Sequence, residues 1–311
     1  DALLSRGLGD VYKRQVESFA SNAKLGKGDH IFTEADESDG SFLLLRPLKA
    51  VIANIDNDHL ETYNNNIEEL KKSFKNFCLN IPFHGRIFAN GDSLEVLDVI
   101  ENLPRNVTSY GFSEINDFQI SDFSQNKNGS EFSLLNKSNK KKMKFKTNMI
   151  GRHNVSNTVA AIIVALDEGI SYEDIKDSLE KFIVIERRFQ LISEKVFNKD
   201  IVLIDDYGHH PNELSVSINT VKEVWPERKL LVVFQPHRYT RTKALFQEFI
   251  DILASCENLI LLEVYPASES PIPNYESENL IREIHKKNPS AKLVTGIEEA
   301  YDCLLYTSDA A

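Results

Sequence analysis

The sequence predicts an α/β protein in two parts, the second a Rossmann-like doubly wound sheet, and three features predict it. After Arg187-Arg188, apolar runs of strand length alternate strictly with helical stripes. Strands are expected at 200–205, 229–234, 258–264 and 291–294, and helices near 212–224, 241–254, 276–287 and 297–302. The apolar runs are continuous, as in parallel strands covered on both faces. Three of them break abruptly into polar bursts: Asp205 to His210, Gln235 to Arg241 (QPHRYTR) and Tyr265 to Glu269. Right-handed crossovers put the C-termini of successive parallel strands on one edge, so these bursts should meet in one crevice, where such sheets bind ligands.

The first part is read in order. His30 to Thr33 is expected to be a short strand ending in the acidic burst Glu34, Asp36, Glu37, Asp39; Lys49 to Ile55 is a buried strand ending in Asn54, Asp56, Asn57, Asp58 and His59. Apolar positions 67, 70, 74, 77, 78 and 81 form a helical stripe. Strands follow at 87–89 and 107–112 with a helix at 94–100 between them. Residues 115–146 alternate polar and apolar side chains around Asn128-Gly129, a hairpin signal, and the Lys137 to Lys146 run is a charged sheet edge without a ligand. A helix runs from Val155 to about Glu168, and Ser171 starts a second one to Phe182. The domain boundary is expected near 183–187, dividing 16–183 from 184–302.

The two ends read differently. Asp10–Gln15 (DVYKRQ) and Cys303–Ser308 (CLLYTS) can be encoded by the two strands of one oligonucleotide, as a transposon-type sequencing adapter would be. Residues 1–15 and 303–311 are therefore expected to be non-native, and 16–302 to be part of a longer gene product. Charges at these ends cancel, so the remainder keeps the net charge of −11. An acidic chain is a poor binder of nucleic-acid backbones. Apart from Cys303, Cys78 and Cys256 lie in apolar patterns, as reduced cytosolic thiols do. No apolar run approaches the length that spans a membrane.

Several residues carry chemistry. Asp205, Asp206, Tyr207, His209 and His210 crowd two carboxylates, a phenol and two imidazoles into one strand-end loop, and Pro211 suits the first turn of the next helix. The competing reading is an N-capping Asp beside solvated histidines. Arg238 and Arg241, three apart at a helix start, form a guanidinium pair suited to a carboxylate or phosphate. In the first part, Glu34 and Asp58-His59 end neighbouring strands. Carboxylates with one imidazole and room for water suit Mg²⁺, and the absence of clustered Cys argues against structural zinc; the competing reading is simple turn formers.

Six segments together resemble the Mur ligase family: EADESDGSF (34–42), NIDNDHLETY (54–63), GRHNVSN (151–157), RRFQ (187–190), DDYGHHP (205–211) and QPHRYTRT (235–242). They span nearly all of 16–302 and are most similar to the members that add L-alanine. The resemblance implies a truncated central ATP-binding domain followed by the Rossmann-like C-terminal domain. It also implies cytoplasmic, ATP-dependent amide formation on a peptidoglycan precursor: ATP phosphorylates the carboxylate of UDP-N-acetylmuramate, and L-alanine attacks the acyl phosphate. By position, Glu34 and His59 resemble magnesium ligands; His153, Asn154 and Asn157 resemble adenine and nucleotide contacts. Arg188, beside Arg187, resembles the arginine that meets the phosphates, and Asp205 or Asp206 a ribose contact. Tyr207, His210, Arg238 and Arg241 resemble the amino-acid pocket. Glu34, His59, Arg188 and His210 are the expected catalytic groups, with ATP and Mg²⁺ as cofactors and no nucleic-acid, membrane or obligate protein partner.

Two departures stand out. The approach to the double arginine, Phe182 to Glu186, lacks the family's usual glycine, and no Gly-rich phosphate loop ending in Lys and Ser/Thr occurs in 16–302. That loop is expected upstream of Val16, which leaves this polypeptide without ligase activity by itself. Alternative readings are a ligase that attaches recycled peptide to the same nucleotide sugar, a magnesium-dependent phosphoesterase, and a non-catalytic nucleotide-binding remnant.

Overall fold

The computed structural model describes residues 28–182, 187–196 and 199–307, without the side chains of residue 297 and residues 304–307. The expectations for residues 1–15, 183–186 and 308–311 lie outside the described residues. Chain contacts define two compact units, Asp1–Asp205 and Asp206–Ala311.

In the first unit, β1 (Lys49–Ile52), β2 (Arg86–Asn90), β3 (Asn106–Gly111), β4 (Phe118–Asn126), β5 (Gly129–Asn136) and β6 (Lys141–Thr147) form one sheet in sequence order. Pairing is parallel from β1 to β4 and antiparallel from β4 to β6. The hairpin expected at Asn128-Gly129 forms one residue earlier: Lys127-Asn128 turn β4 into β5, Gly129 already pairs with Asn126, and the lysine-rich β6 is a sheet edge. Successive strand residues face opposite ways, so β2 feeds two cores. Ile87 and Ala89 join the core beneath α1 (Ile67–Leu79) and α2 (Leu94–Ile100). Phe88 joins the one beneath α3 (Arg152–Asp167) and α4 (Tyr172–Glu180). The helix starts follow from local chemistry: Asn66, Ser93 and Ser171 each accept an N–H of the first turn with a side-chain oxygen.

One expected strand is absent. His30 to Thr33 enters no ladder among the described residues, and Ile31 and Phe32 are exposed. Extended apolar sequence becomes a strand only where a neighbour takes up its backbone groups.

A hairpin of β7 (Gln190–Ser193) and β8 (Leu203–Asp205) follows. The sequence pattern missed β7 and put β8 into the second sheet. Instead β8 pairs antiparallel with β7, and the second sheet has the order β11-β10-β9, formed by β9 (Leu231–Phe234), β10 (Asn258–Leu262) and β11 (Lys292–Val294). All of its pairs are parallel. Helices cover both faces. Leu259 and Leu261 of β10 pack with α5 (Pro211–Val224), α7 (Phe246–Ala254) and α8 (Ser277–His285), while Ile260 and Leu262 pack with Ala300 of α9 (Ile297–Thr307). Each fully buried side chain of this size contributes about 1.5–3 kcal/mol, so β10 is the anchor of the unit. The helix expected at 241–254 is two helices, α6 (Tyr239–Ala244) and α7, separated by Leu245 at φ −115°, ψ 27° with its side chain buried. Core packing of Leu245 overrides the continuous helical stripe. No described helix is long and apolar enough to cross a membrane.

Candidate functional site

The strand-end loops of the second unit converge. Tyr265 N–H donates to the Pro236 carbonyl and Arg238 N–H to the Tyr265 carbonyl, both at 2.8 Å, which joins the loop after β10 to the loop after β9. The Tyr265 ring stacks on His237 with centroids 5.4 Å apart, and His237 lies 6.0 Å from the ring of His209. His209 in turn meets Tyr207 edge-on at 5.0 Å. Arg241, buried, places Nη1 3.4 Å from both the Nδ1 and the carbonyl oxygen of His237. Glu269 grips the start of α6, accepting from Thr240 N–H at 3.0 Å and from its hydroxyl at 2.7 Å. Arg238 is held at φ 71°, a left-handed conformation that is costly for any residue with a Cβ.

The two adjacent histidines are held differently. His210 is the N-cap of α5: its Nδ1 accepts from Asn212 N–H at 3.3 Å, and Glu213 closes a capping box by accepting from His210 N–H at 3.2 Å. His209 N–H also donates to Glu213, at 2.9 Å, while its Nδ1 lies 3.1 Å from the Tyr207 carbonyl. Asp206 accepts from Gly208 N–H at 2.6 Å and so shapes the turn. The sequence pattern counted His209 in this loop without giving it a role, and it did not single out His237, Glu213, Tyr265 and Glu269 as site residues. A signal existed for some of them, since both histidines and the Tyr265 to Glu269 burst follow the apolar runs whose ends were expected to meet.

In the first unit, the acidic loop and the His59 turn are tied together. Thr62 Oγ1 donates to the Ser38 carbonyl at 2.6 Å, and the Tyr63 hydroxyl to the Glu37 carbonyl. His59 sits at φ 54° at the head of a short 3-10 turn, with Asp58 Oδ2 3.5 Å and Glu61 Oε1 4.0 Å from its ring. Glu34 is exposed. Burial raises the Glu37 carboxyl above its ordinary range, offset in part by backbone hydrogen bonding and the His59 charge. Burial also pushes the Tyr63 phenol up to about 12, helped by Glu37 and Asp39. Among the described residues no three His, Cys, Asp or Glu side chains are grouped so as to hold a metal ion. That donor set does not make a protein cage. A carboxylate and an imidazole without a third protein donor would leave a magnesium ion there to be held mainly by water and phosphate.

At the start of α3, His153 and Asn157 are one turn apart with His153 half-buried and Asn157 exposed. Asn154 is buried, and its amide donates to the Ile150 carbonyl at 2.7 Å, so it also serves the helix start. Arg152 stacks over Phe112 at 3.8 Å from the ring centroid, a contact that the sequence pattern did not signal. Arg188 is half-buried. Arg187 Nε donates to Asp205 Oδ2 at 3.1 Å, an exposed pair that occupies one face of that carboxylate.

Comparison with known proteins adds the following. Family models match residues 15–165 as "Mur ligase middle domain" and residues 187–310 as "Mur ligase, glutamate ligase domain". The chain is 40% identical over 280 residues to the UDP-N-acetylmuramate–L-alanine ligase of Wigglesworthia glossinidia brevipalpis, covering 88% of this chain and 59% of that protein. Among solved structures, the UDP-N-acetylmuramate–alanine ligase of Thermotoga maritima aligns with a TM-score of 0.63 at 23% identity, over 84% of this chain and 54% of that one. MurF from Acinetobacter baumannii aligns at 0.66 and 17% identity, over 87% and 56%. These structural likenesses concern the fold.

Proposed function

The chain belongs to the Mur ligase family, and from that premise we propose that the protein of which it forms part joins L-alanine to UDP-N-acetylmuramate, at the expense of ATP, in cytoplasmic peptidoglycan-precursor synthesis. The observation that carries this reading is the convergence of the second unit's strand-end loops on His237, with a buried arginine beside it. Buried guanidinium at a strand edge suits the carboxylate of a small amino acid. On this reading Arg238 and Arg241 hold that carboxylate, and Tyr207 and His210 line the pocket. His153, Asn154 and Asn157 contact the nucleotide base, Asp205 or Asp206 the ribose, and Arg188 the phosphates.

Glu34 and His59 would hold magnesium together with phosphate oxygens; bound there, the ion supplies charge to the phosphoryl group in transfer. Phosphorylation turns a poor acyl donor into one with a good leaving group, and the chain's own cations then face the developing negative charge.

The chain spans 59% of the length of its Wigglesworthia relative. Two assays test the proposal. This polypeptide with ATP, Mg²⁺, UDP-N-acetylmuramate and L-alanine should release no phosphate above background, and turnover would refute that part. The form extended upstream to the length of its relatives should release phosphate only when L-alanine is added, with hydroxylamine trapping a hydroxamate of the nucleotide sugar. Preference for a recycled peptide over L-alanine would favour the sister activity instead.

A further inference from the structure

We propose that Phe112 and Arg152 are positioning residues for nucleotide binding, an inference that rests on the reading of His153, Asn154 and Asn157 as nucleotide contacts. Those three lie on the first two turns of α3, and Arg152 is the first residue of that helix. The start of α3 is not capped in the usual way. Gly151, the residue before it, sits at φ 103° and offers no side-chain acceptor, and the first turn holds no acidic residue. A cation at this end also opposes the helix dipole, so helix stability does not place Arg152 there.

Ring stacking supplies the anchor instead. The Arg152 guanidinium lies 3.8 Å from the centroid of Phe112 and 5.3 Å from that of Phe123, and the two rings meet edge-on at 5.7 Å. Among the described residues these two rings are the only groups that hold the guanidinium. Phe112 is itself pinned. Its N–H donates to Asp92 Oδ2 at 2.6 Å, and Ser113 N–H donates to Asp92 Oδ1 at 2.9 Å. One carboxylate from the loop after β2 thus fixes the turn after β3, and a Cβ on Gly111 would come within 2.5 Å of it. The contacts run from β2 through Asp92 and Phe112 to Arg152 and the three nucleotide residues.

The far end of α3 is bolted separately. Asp167, its last residue, meets Arg86 at 2.7 Å and also pairs with Lys49. Two anchors therefore hold the helix, and only the stack is at the end that carries His153, Asn154 and Asn157.

The test is kinetic and uses the form extended upstream to the length of its relatives. A looser stack weakens ATP binding equally in the ground and transition states, which raises KM and leaves kcat. Phe112→Leu and Arg152→Met should each raise KM for ATP about fivefold, the scale of one partly exposed cation–π contact. KM for L-alanine and kcat should stay near the unsubstituted values. The double variant should show no further rise, because both substitutions break the same contact. Phe112→Tyr, which keeps the ring, should behave as the unsubstituted protein. Asp167→Asn should lower the urea midpoint and leave KM for ATP alone. An unchanged KM for ATP, additive rises in the double variant, or an equal rise in Asp167→Asn overturns the proposal. In NMR spectra of this chain, the Arg152 side-chain protons should be shielded by the Phe112 ring, and Phe112→Leu should remove that shift; its absence overturns the stack itself.

Asn157→Ala in the extended form is the reference. If it leaves KM for ATP unchanged, the nucleotide reading of this turn fails and the proposal falls with it. If it raises KM while the stack variants do not, the proposal alone fails. Absence of ATP-dependent turnover in the unsubstituted extended protein refutes the ligase reading, and the proposal with it.

Discussion

Glu37 pays for its position in the acidic loop, and the sign of that cost can be read out with pH. Burial is the largest influence on its carboxyl, and Asp36 and Asp58 add repulsion, so the folded chain holds it above the ordinary value of 4.5 despite backbone hydrogen bonding and nearby His59. A carboxyl raised on folding penalises the native state only where the unfolded group is ionised. Glu37→Gln should therefore raise the urea midpoint at neutral pH without added magnesium, and the gain should vanish as the pH falls below about 4.5, where both states are protonated. A midpoint unchanged at neutral pH, or a gain that persists in acid, would show that the charge is not strained. In this region the sequence alone left magnesium and turn formation as competing readings of Glu34 and Asp58-His59. Acidic residue types fitted both, and only the burial of Glu37 and the ties from Thr62 and Tyr63 distinguish a constrained loop from a solvated turn.

At the scale of the element, α5 shows what was legible and what was not. Pro211 announced the first turn, and the helix does start there. The cap was not legible, because histidine is outside the residue types that usually cap helices, and nothing in the spacing says that an imidazole nitrogen accepts from Asn212. His210→Ala should cost about 1 kcal/mol in chemical denaturation and His210→Asn should recover most of it, since asparagine supplies an equivalent acceptor. Equal stability of the two variants would mean that the cap is idle and that His210 serves the pocket alone. Elsewhere, strands covered on both faces were plain in the sequence, as Leu259 to Leu262 show, because apolar runs report burial directly. Pairing was less plain. Nothing in the run 200–205 states that β8 bonds to β7, a four-residue strand without a strong pattern. The meeting of the loops after β9 and β10 was legible from crossover handedness, but that of the Asp205–His210 loop was not, because β8 lies outside that sheet, and the particular partners were not. That His209 and not His210 faces His237 depends on one step of backbone rotation before α5.

At the scale of the whole molecule, the two units have different kinds of sheet interior, and their backbone protection should differ accordingly. β10 is hydrogen-bonded on both sides, to β9 and β11, and its four apolar side chains are buried alternately in two cores. Among the described residues β1 pairs with β2 alone, and Val51 is 42% exposed although it lies mid-strand. Ion pairing opposes this contrast: Lys49 pairs with Asp167 and, at 2.6 Å, with Glu168, while Arg86 meets Asp167 at 2.7 Å. Burial works against the Lys49 charge, yet the hydrogen bonds to Asp167 and Glu168 outweigh it and hold its pKa above the ordinary lysine value. Such partly exposed pairs contribute about 1 kcal/mol or less each, whereas every fully buried aliphatic side chain of β10 contributes about 1.5–3 kcal/mol. The core should win. In hydrogen exchange followed by mass spectrometry, β10 amides should therefore exchange last and β1 amides early, with 184–302 better protected than 16–183. Faster exchange in β10 than in β1 would mean that the ion pairs around Lys49, and not core burial, govern how this chain opens.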